Sequence, residues 1–377
     1  MLTIVYIVNQ LRKSGPIHVL KNIVENLDRN SFRPIIVKFM RDDNARSITH
    51  EFVEINIEIY EMNLTFWDLE LKTSSVARQL DNLLEKLHPN IVHTHGYHPV
   101  LVASHLKYIC PKIETLHCIS TDYYISSKGF LIGNWMDWRY FNALKKIDCC
   151  VAISKTVHKY YASRYPNKNT RVIYNGINPK PFVQEIDKSE LRRRLNIEEN
   201  VLIFVVLGTL SKVKDPITII KAYKQALKYL KTKQKSKLLF LGQGPLQDKC
   251  LSMVDENIEL KGYVFNAPDY LQAANFSICA SHSEGFGLNF IESVMAGTPV
   301  LSSTIGPFNE FTDLYSQLKP FQFSPANVTE LADKMCKAVD NIQSIDMKSA
   351  KVDALVRFSA YKMAESYMDL YFELTTK

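Results

Sequence analysis

The chain has 377 residues, 46% of them hydrophobic and 23% charged, with a formal net charge of +7. That length exceeds one ordinary core and suits two domains, and the composition excludes a disordered chain. The charge excess divides as 21 Lys and Arg against 16 Asp and Glu over residues 1–170 and 25 against 23 over the rest. So small an excess is compatible with anionic substrates, an anionic membrane surface or ordinary solvated lysines, and no C2H2 pattern, RNP aromatic motif or long basic tract points to nucleic acid.

The first stretch, MLTIVYIVNQLRKSG, carries its charges after the apolar run, where a secretory signal carries them before it. It reads as a first β-strand, and a cytoplasmic location is expected. Short β-branched runs then alternate with helical patterns. Strands are expected at 2–8, 33–39, 57–62, 90–96, 112–118 and 148–154, with amphipathic segments at 17–28, 73–88 and 155–164. The aromatic-rich segment 121–141, TDYYISSKGFLIGNWMDWRYF, is read as core-facing, with an acceptor groove or a membrane surface as alternatives.

The rhythm breaks at 165–200, where YPNKNTRVIYNGINPKPF reads as turns and a linker, followed by a polar helix KSELRRRLNI. It restarts with strands at 200–208, 237–242, 258–262, 276–281 and 298–303 and helices at 215–231, 245–252, 267–274 and 288–296. The apolar run at 201–208 is too short to cross a bilayer, which takes about 20 residues. The final segment, KVDALVRFSAYKMAESYMDLYFEL, reads as one long amphipathic helix that closes the second domain or crosses back to the first. The expected architecture is α/β: two doubly wound domains, 1–170 and 201–350, joined by a linker at 171–200 and followed by the helical segment 351–377. Two such domains facing each other would form a cleft lined by strand ends. The seven cysteines are scattered without a C-x-x-C pair, so reduced thiols are expected rather than disulfides or a zinc site.

Chemistry concentrates at two strand ends of the second domain. In SEGFGLNFIES, Glu284 and Glu292 stand eight positions apart with Gly285, Phe286 and Gly287 between. Glycines there let backbone amides approach a ligand, and a helix starting near Leu288 would offer its N-terminus to phosphate. Eight helical residues span roughly 12 Å and turn the side-chain direction by about 80°, so the carboxylates are not expected to meet as a hydrolase pair does. The spacing suits an elongated ligand with hydroxyls at both ends and negative charge between them, such as a nucleotide-sugar. After the strand VLIFVVLG comes GTLSKVKDP, whose Lys212 and Lys214 can neutralise a diphosphate. No Walker A loop occurs.

These residues resemble the GT4-type family of retaining glycosyltransferases, with the GT-B architecture of two Rossmann-like domains. Glu284 to Glu292 fits the family's E-x7-E motif, and the surrounding pattern fits through Val300. LGQGPL (241–246), VIYNGI (172–177), PNIVHTHG (89–96) and TLHC (115–118) are similar to further family segments, so the resemblance covers most of the chain. Gly306 to Glu310 resembles the family's G-G-x-x-E, with Pro307 in place of the second glycine. The resemblance implies that Glu284 contacts hydroxyls of the donor sugar, that the amides of Gly285, Phe286, Gly287 and Leu288 hold sugar and phosphate, that Glu292 binds the ribose hydroxyls, and that Lys214 binds the diphosphate. Thr209 stands where the family carries an arginine, and Lys212 is the candidate to compensate. On the acceptor side, Gly15 lies where the family often has a glycine pair.

His117 reads from the residues alone as a strand-end histidine bonded to a backbone carbonyl. The resemblance implies a role toward the donor sugar. His93 and His95 are expected on opposite faces of their strand, one structural and His95 reaching the cleft. The resemblance implies no metal and no cofactor beyond a nucleotide-sugar co-substrate, and no D-x-D motif occurs. The expected activity is transfer of a sugar, from a UDP donor in preference to GDP, to a growing lipid-linked envelope glycan at the inner face of the cell membrane. A non-catalytic nucleotide-sugar binding protein and a UDP-sugar epimerase of related fold stand as alternatives.

Overall fold

The computed structural model describes residues 1–43, 47–166, 168–184, 186–230 and 235–376. Positions 167 and 185 of the expected turn-and-linker region, residue 231 of the expected 215–231 helix and residue 377 lie outside the described residues. The chain forms two compact units, Met1–Ile177 with Ala360–Lys377, and Asn178–Ser359.

The first unit is built on seven parallel strands, β1 (Leu2–Val8), β2 (Phe32–Lys38), β3 (Glu58–Glu61), β4 (Ile91–His95), β5 (Lys112–Leu116), β6 (Cys149–Ala152) and β7 (Thr170–Val172), in the order β3-β2-β1-β4-β5-β6-β7. The second has six parallel strands, β8 (Leu202–Leu207), β9 (Ser236–Leu241), β10 (Ile258–Gly262), β11 (Phe276–Cys279), β12 (Val300–Ser303) and β13 (Gln322–Phe323), in the order β10-β9-β8-β11-β12-β13. Both are doubly wound α/β sheets. Helices cover both faces, so the central strands LTIVYIV and LIFVVL are apolar nearly throughout instead of alternating. In each sheet the strand order reverses beside the first strand, between β1 and β4 and between β8 and β11. Ligands of open α/β sheets bind outside the strand ends at such a switch point.

The expected strands are found to within a few residues. The two that sequence reading missed, β7 and β13, each lie at one edge of a sheet. They have three and two residues and polar members, too little pattern to register.

The final segment differs from the single helix expected. It forms two helices, Lys348–Arg357 and Ala360–Thr375, with a break at Phe358–Ser359. No proline or glycine marks the stop. Phe358 is buried and stacks edge-on against Phe286 and Phe311, at centroid distances of 5.8 and 5.5 Å, which anchors the first helix in the second unit. The Ala360 amide then donates to the Ile177 carbonyl at 2.8 Å, and the last helix packs in the first unit.

The 121–141 segment is also not simply core-facing. It forms helices Ser120–Lys128 and Phe130–Leu144, of which Tyr124, Tyr140 and Phe141 are buried while Tyr123, Phe130, Trp135 and Trp138 are exposed. All seven cysteines are free thiols. No described helix is long and apolar enough to cross a membrane.

Candidate functional site

At the switch point of the second sheet, β8 runs into the turn Gly208–Asp215 and β11 into the turn Ala280–Gly287. Gly208 has φ +143, a conformation that disfavours any side chain, and the Lys214 stem lies across it, its Cε 3.6 Å from where a Cβ would stand. Asp215, itself left-handed at φ 45, caps the following helix Pro216–Ala226 by accepting from the Thr218 amide at 3.2 Å. Its other carboxylate oxygen lies 3.1 Å from His282 Nε2. The turn is thus held at both ends, and Lys214 points back over β8.

A second turn braces it from behind. Gly242, at φ +148, would place a Cβ 2.1 Å from the Gly208 carbonyl oxygen, and a Cβ on Gly244 would lie 2.5 Å from the Leu210 carbonyl oxygen. The LGQGPL stretch therefore needs glycine so that two backbones can touch. Gly242→Ala is expected to cost on the order of 3 kcal/mol and to weaken nucleotide binding by displacing Gly208–Leu210; thermal melting and a nucleotide titration of the variant check both.

Lys214 Nζ forms an ion pair with Glu284 Oε1, which also accepts from Ser281 Oγ at 2.8 Å. Burial disfavours the ammonium, but the Glu284 charge and hydrogen bond outweigh it, so the Lys214 pKa lies above its ordinary value. Ser281 was not singled out by sequence reasoning, although a serine three residues before the glutamate was part of the matched pattern. Glu292 sits in the second turn of the helix Leu288–Met295, half-buried, its carboxylate making no hydrogen bond or ion pair among the described residues. Burial pushes its carboxyl up to about 7, and the Lys214 charge works against that rise. Both glutamates act electrostatically on Lys214, one by direct contact and one through space.

The helix Leu288–Met295 starts without a side-chain cap, behind Gly287 at φ +94. The Phe290 amide donates to the Gly287 carbonyl at 3.0 Å, while the amides of Leu288 and Asn289 at the helix start have no intrahelical acceptor, which leaves donors and a positive dipole end that favour an anion. Here the sequence expectation assigned backbone to Phe286, and the structure puts its ring elsewhere: it is buried against Phe311 at 5.1 Å. Gly287 fits closely too, since a Cβ there would lie 2.4 Å from the Phe308 ring. Asn289, also unanticipated, is buried; it donates to the Leu207 carbonyl at 3.2 Å and leaves Oδ1 without a partner among the described residues. It lines a recess of about 260 Å³, open space above it included, together with Gly208, Thr209, Lys214 and Ser281. Thr209 and Lys212 are exposed.

The first unit holds the histidines. His93 and His95 share one face of β4, with ring centroids 4.5 Å apart, and so correct the expectation of opposite faces. Side chains alternate with period two along a strand, so residues two apart point the same way. His95 Nδ1 lies 2.9 Å from His117 Nε2. His93 bonds Tyr371 OH and Thr115 Oγ1, both at 2.8 Å, and Tyr371 reaches Tyr6 OH at 3.0 Å. The last helix is thus tied to the histidine row by hydrogen bonds that no local sequence pattern announces. Burial holds all three imidazoles neutral, pushing His117 down to about 4 and His93 to about 3, with neighbouring histidines adding to the fall for His93 and His95. Between two neutral rings one nitrogen donates and the other accepts. His95 Nε2 is buried without a partner, and a lone pair is cheaper to leave there than an N–H. His95 therefore donates from Nδ1, and His117 presents its own Nδ1–H, which has no partner among the described residues. Beside this row, buried Glu114 accepts from Tyr140 OH at 2.7 Å and from the Gly96 amide at 3.2 Å. Gly15 begins the helix Gly15–Glu25, exposed, with no side-chain cap and no acidic residue in the first turn.

The model of Glycosyltransferase Family 4 matches residues 14–180, and that of Glycosyl transferases group 1 matches 187–350, so together they span most of the chain. The O-antigen biosynthesis glycosyltransferase WclY of Escherichia coli is 26% identical over 385 aligned positions, covering 98% of this chain and 97% of WclY. The UDP-Gal:alpha-D-GlcNAc-diphosphoundecaprenol alpha-1,3-galactosyltransferase of Escherichia coli is 22% identical, covering 78% of each chain. Among solved structures, Anabaena Alr3699/HepE in complex with UDP and glucose superposes with a TM-score of 0.77 at 16% identity, covering 99% of this chain and all of that one. Two parallel sheets, each reversing order beside its first strand, with a Lys–Glu–Ser cluster at one of the switch points, agree with these matches, and the chain belongs to the GT4-type family of glycosyltransferases on the GT-B fold.

Proposed function

We propose that the protein transfers a sugar from a UDP-sugar to a hydroxyl of a growing, lipid-linked cell-envelope glycan, with retention and without a metal. The observation that carries this reading is the convergence of Lys214, Glu284 and Ser281 beside the uncapped helix Leu288–Met295. The UDP choice is supported by the UDP bound to HepE and by the UDP-Gal donor of the Escherichia coli galactosyltransferase; the envelope acceptor is supported by the O-antigen and diphosphoundecaprenol relatives.

In the free protein Lys214 is neutralised by Glu284. A bound diphosphate takes over that ammonium, and Glu284, still held at Oε1 by Ser281, accepts from sugar hydroxyls with the charge it no longer shares with Lys214. The C1–O bond of the donor breaks, with its electron pair leaving on the diphosphate. Lys214 and the amides of Gly285, Phe286, Gly287 and Leu288 stabilise that charge. The acceptor oxygen bonds C1 on the face the diphosphate leaves, and its proton passes to the leaving phosphate. Glu292 accepts from the ribose hydroxyls. The substrates work from the cytoplasm, at the inner face of the membrane.

A thermal-shift screen of UDP- and GDP-sugars, followed by an assay of nucleotide release with and without acceptor glycans, tests this reading. Stabilisation by a UDP-sugar with acceptor-dependent release of UDP supports it. Binding without transfer to any acceptor would make the chain a nucleotide-sugar binding protein, and conversion of UDP-GlcNAc without acceptor would make it an epimerase. His117→Ala is expected to lower turnover about 100-fold. Because the imidazole is already neutral, the wild-type rate should show no ionisation of His117 between pH 5 and 8; a pH profile of both proteins checks this.

A further inference from the structure

The hairpin of helices Ser120–Lys128 and Phe130–Leu144 is apolar on both of its faces. The inner one buries Tyr124, Tyr140, Phe141 and Leu144. Its outer face and tip display Tyr123, Phe130, Leu131, Ile132, Trp135 and Trp138, with Phe130 71% and Leu131 81% exposed. The reason lies in the crossing: a Cβ on Gly133 would stand 2.6 Å from Ile125 Cα, so the two backbones touch and leave no room between them for large side chains. The helix Phe66–Leu71 is tied to this hairpin by the ion pair of Glu70 with Arg139 and adds exposed Phe66, Trp67 and Leu71.

The chain contains three tryptophans, and all three stand on these helices, with Trp67 66%, Trp135 50% and Trp138 65% exposed. Large apolar surface of this kind marks an interaction site, and tryptophan favours the boundary between hydrocarbon and headgroups. Charge names the partner. Residues 107–171 hold eleven Lys and Arg against four Asp and Glu, an excess of seven that falls to five once the pairs of Arg139 with Glu70 and of Arg171 with Glu373 are counted. Of the four acids, Glu114 is buried and Asp137 is paired with Arg164. Lys128 at the hairpin tip and Lys145 and Lys146 beyond its far end are exposed. Aromatic anchors flanked by lysines are the pattern of a helix lying in an anionic membrane surface. A copy of this cationic region would repel it.

We propose that this hairpin docks the protein on an anionic bilayer, with Phe130 and Leu131 at the acyl boundary, the tryptophans at headgroup level and the lysines among the phosphates. The longer of its helices has 15 residues, too few to span, since crossing takes about 20. The surface operates without nucleotide-sugar, so its test is separate from that of the transferase reading. The whole protein is mixed with vesicles of phosphatidylglycerol and phosphatidylethanolamine, or of phosphatidylcholine alone, with no substrate present. Sedimentation with the anionic vesicles, a blue shift of tryptophan emission, quenching by brominated acyl chains and release at high salt are expected. The paired substitution Leu131→Glu and Ile132→Glu keeps every tryptophan; it should weaken vesicle binding at least tenfold while melting temperature and UDP-sugar binding stay as in the wild type. Binding to neutral and anionic vesicles alike, sedimentation without quenching, or a blue shift that follows protein concentration in the absence of lipid would overturn the proposal. The last of these would assign the face to a second copy of the chain. Because quenching is read on the wild type, a variant that fails to fold does not leave the question open.

Discussion

Lys214→Ala is expected to lower kcat/KM by about 1,000-fold, the scale of removing one preorganised charge from a developing anion. The lysine is half-buried, its stem rests on Gly208, and its ammonium is the sole cation bonded to Glu284 among the described residues. Its loss leaves that carboxylate with Ser281 as its hydrogen-bond donor, so Tm should fall by a few degrees without loss of the fold. Glu284→Gln keeps the bond to Ser281 and removes the charge, and should also lower turnover by orders of magnitude. The two residues act as a unit, so the double variant should cost little more than the worse single one. Steady-state nucleotide release from the three proteins, with melting curves alongside, decides the point. Wild-type rates in either single variant would remove the assigned roles.

Donor affinity should depend on the ionisation of Glu292. Its carboxyl stands at about 7 in the folded chain against an ordinary 4.5, raised by burial and opposed by Lys214. A raised acid favours the folded state while the folded form keeps its proton, so its contribution to stability is full below pH 4.5, is lost between 4.5 and about 7, and stays lost above. Glu292→Gln should therefore gain Tm relative to the wild type as pH rises from 5 to 8. Ribose hydroxyls donate to a carboxylate, so the wild-type KM for donor should be lowest above neutral pH and rise about tenfold per unit well below the folded pKa. Lys214→Ala removes the charge that holds Glu292 down, and should move this limb to higher pH. A flat KM in the wild type, or an unmoved limb in Lys214→Ala, would contradict the assignment.

Much of the fold was legible because parallel strands covered on both faces must be apolar throughout, and LTIVYIV and LIFVVL can hardly be anything else. The turns at Gly208 and Gly287 were legible for a related reason, since a glycine between strand and helix signals backbone used as surface. Other features were not. The break at Phe358–Ser359 carries no stopping residue; it exists because Phe358 is captured by Phe286 and Phe311, which lie far away along the chain. The exposed hairpin was read as core because apolar periodicity reports that a face wants cover without reporting whether the domain supplies it. The expectation that His93 and His95 diverge misapplied the strand period, which already required them to share a face.

By itself the sequence determined the α/β class, the positions of nearly all strands, and the residue types able to hold an anion and its flanking hydroxyls. Each of these is a local property, set by side-chain period, backbone freedom and charge over a dozen residues or fewer. Only the tertiary structure decided that Lys214 is bonded to Glu284, that the Glu292 carboxyl is buried enough to titrate near neutrality, that the row from His117 to Tyr371 is neutral, and that three tryptophans stand in solvent. Those are outcomes of distance and burial between segments remote in sequence, and electrostatic energies in a folded chain depend on nothing else so strongly.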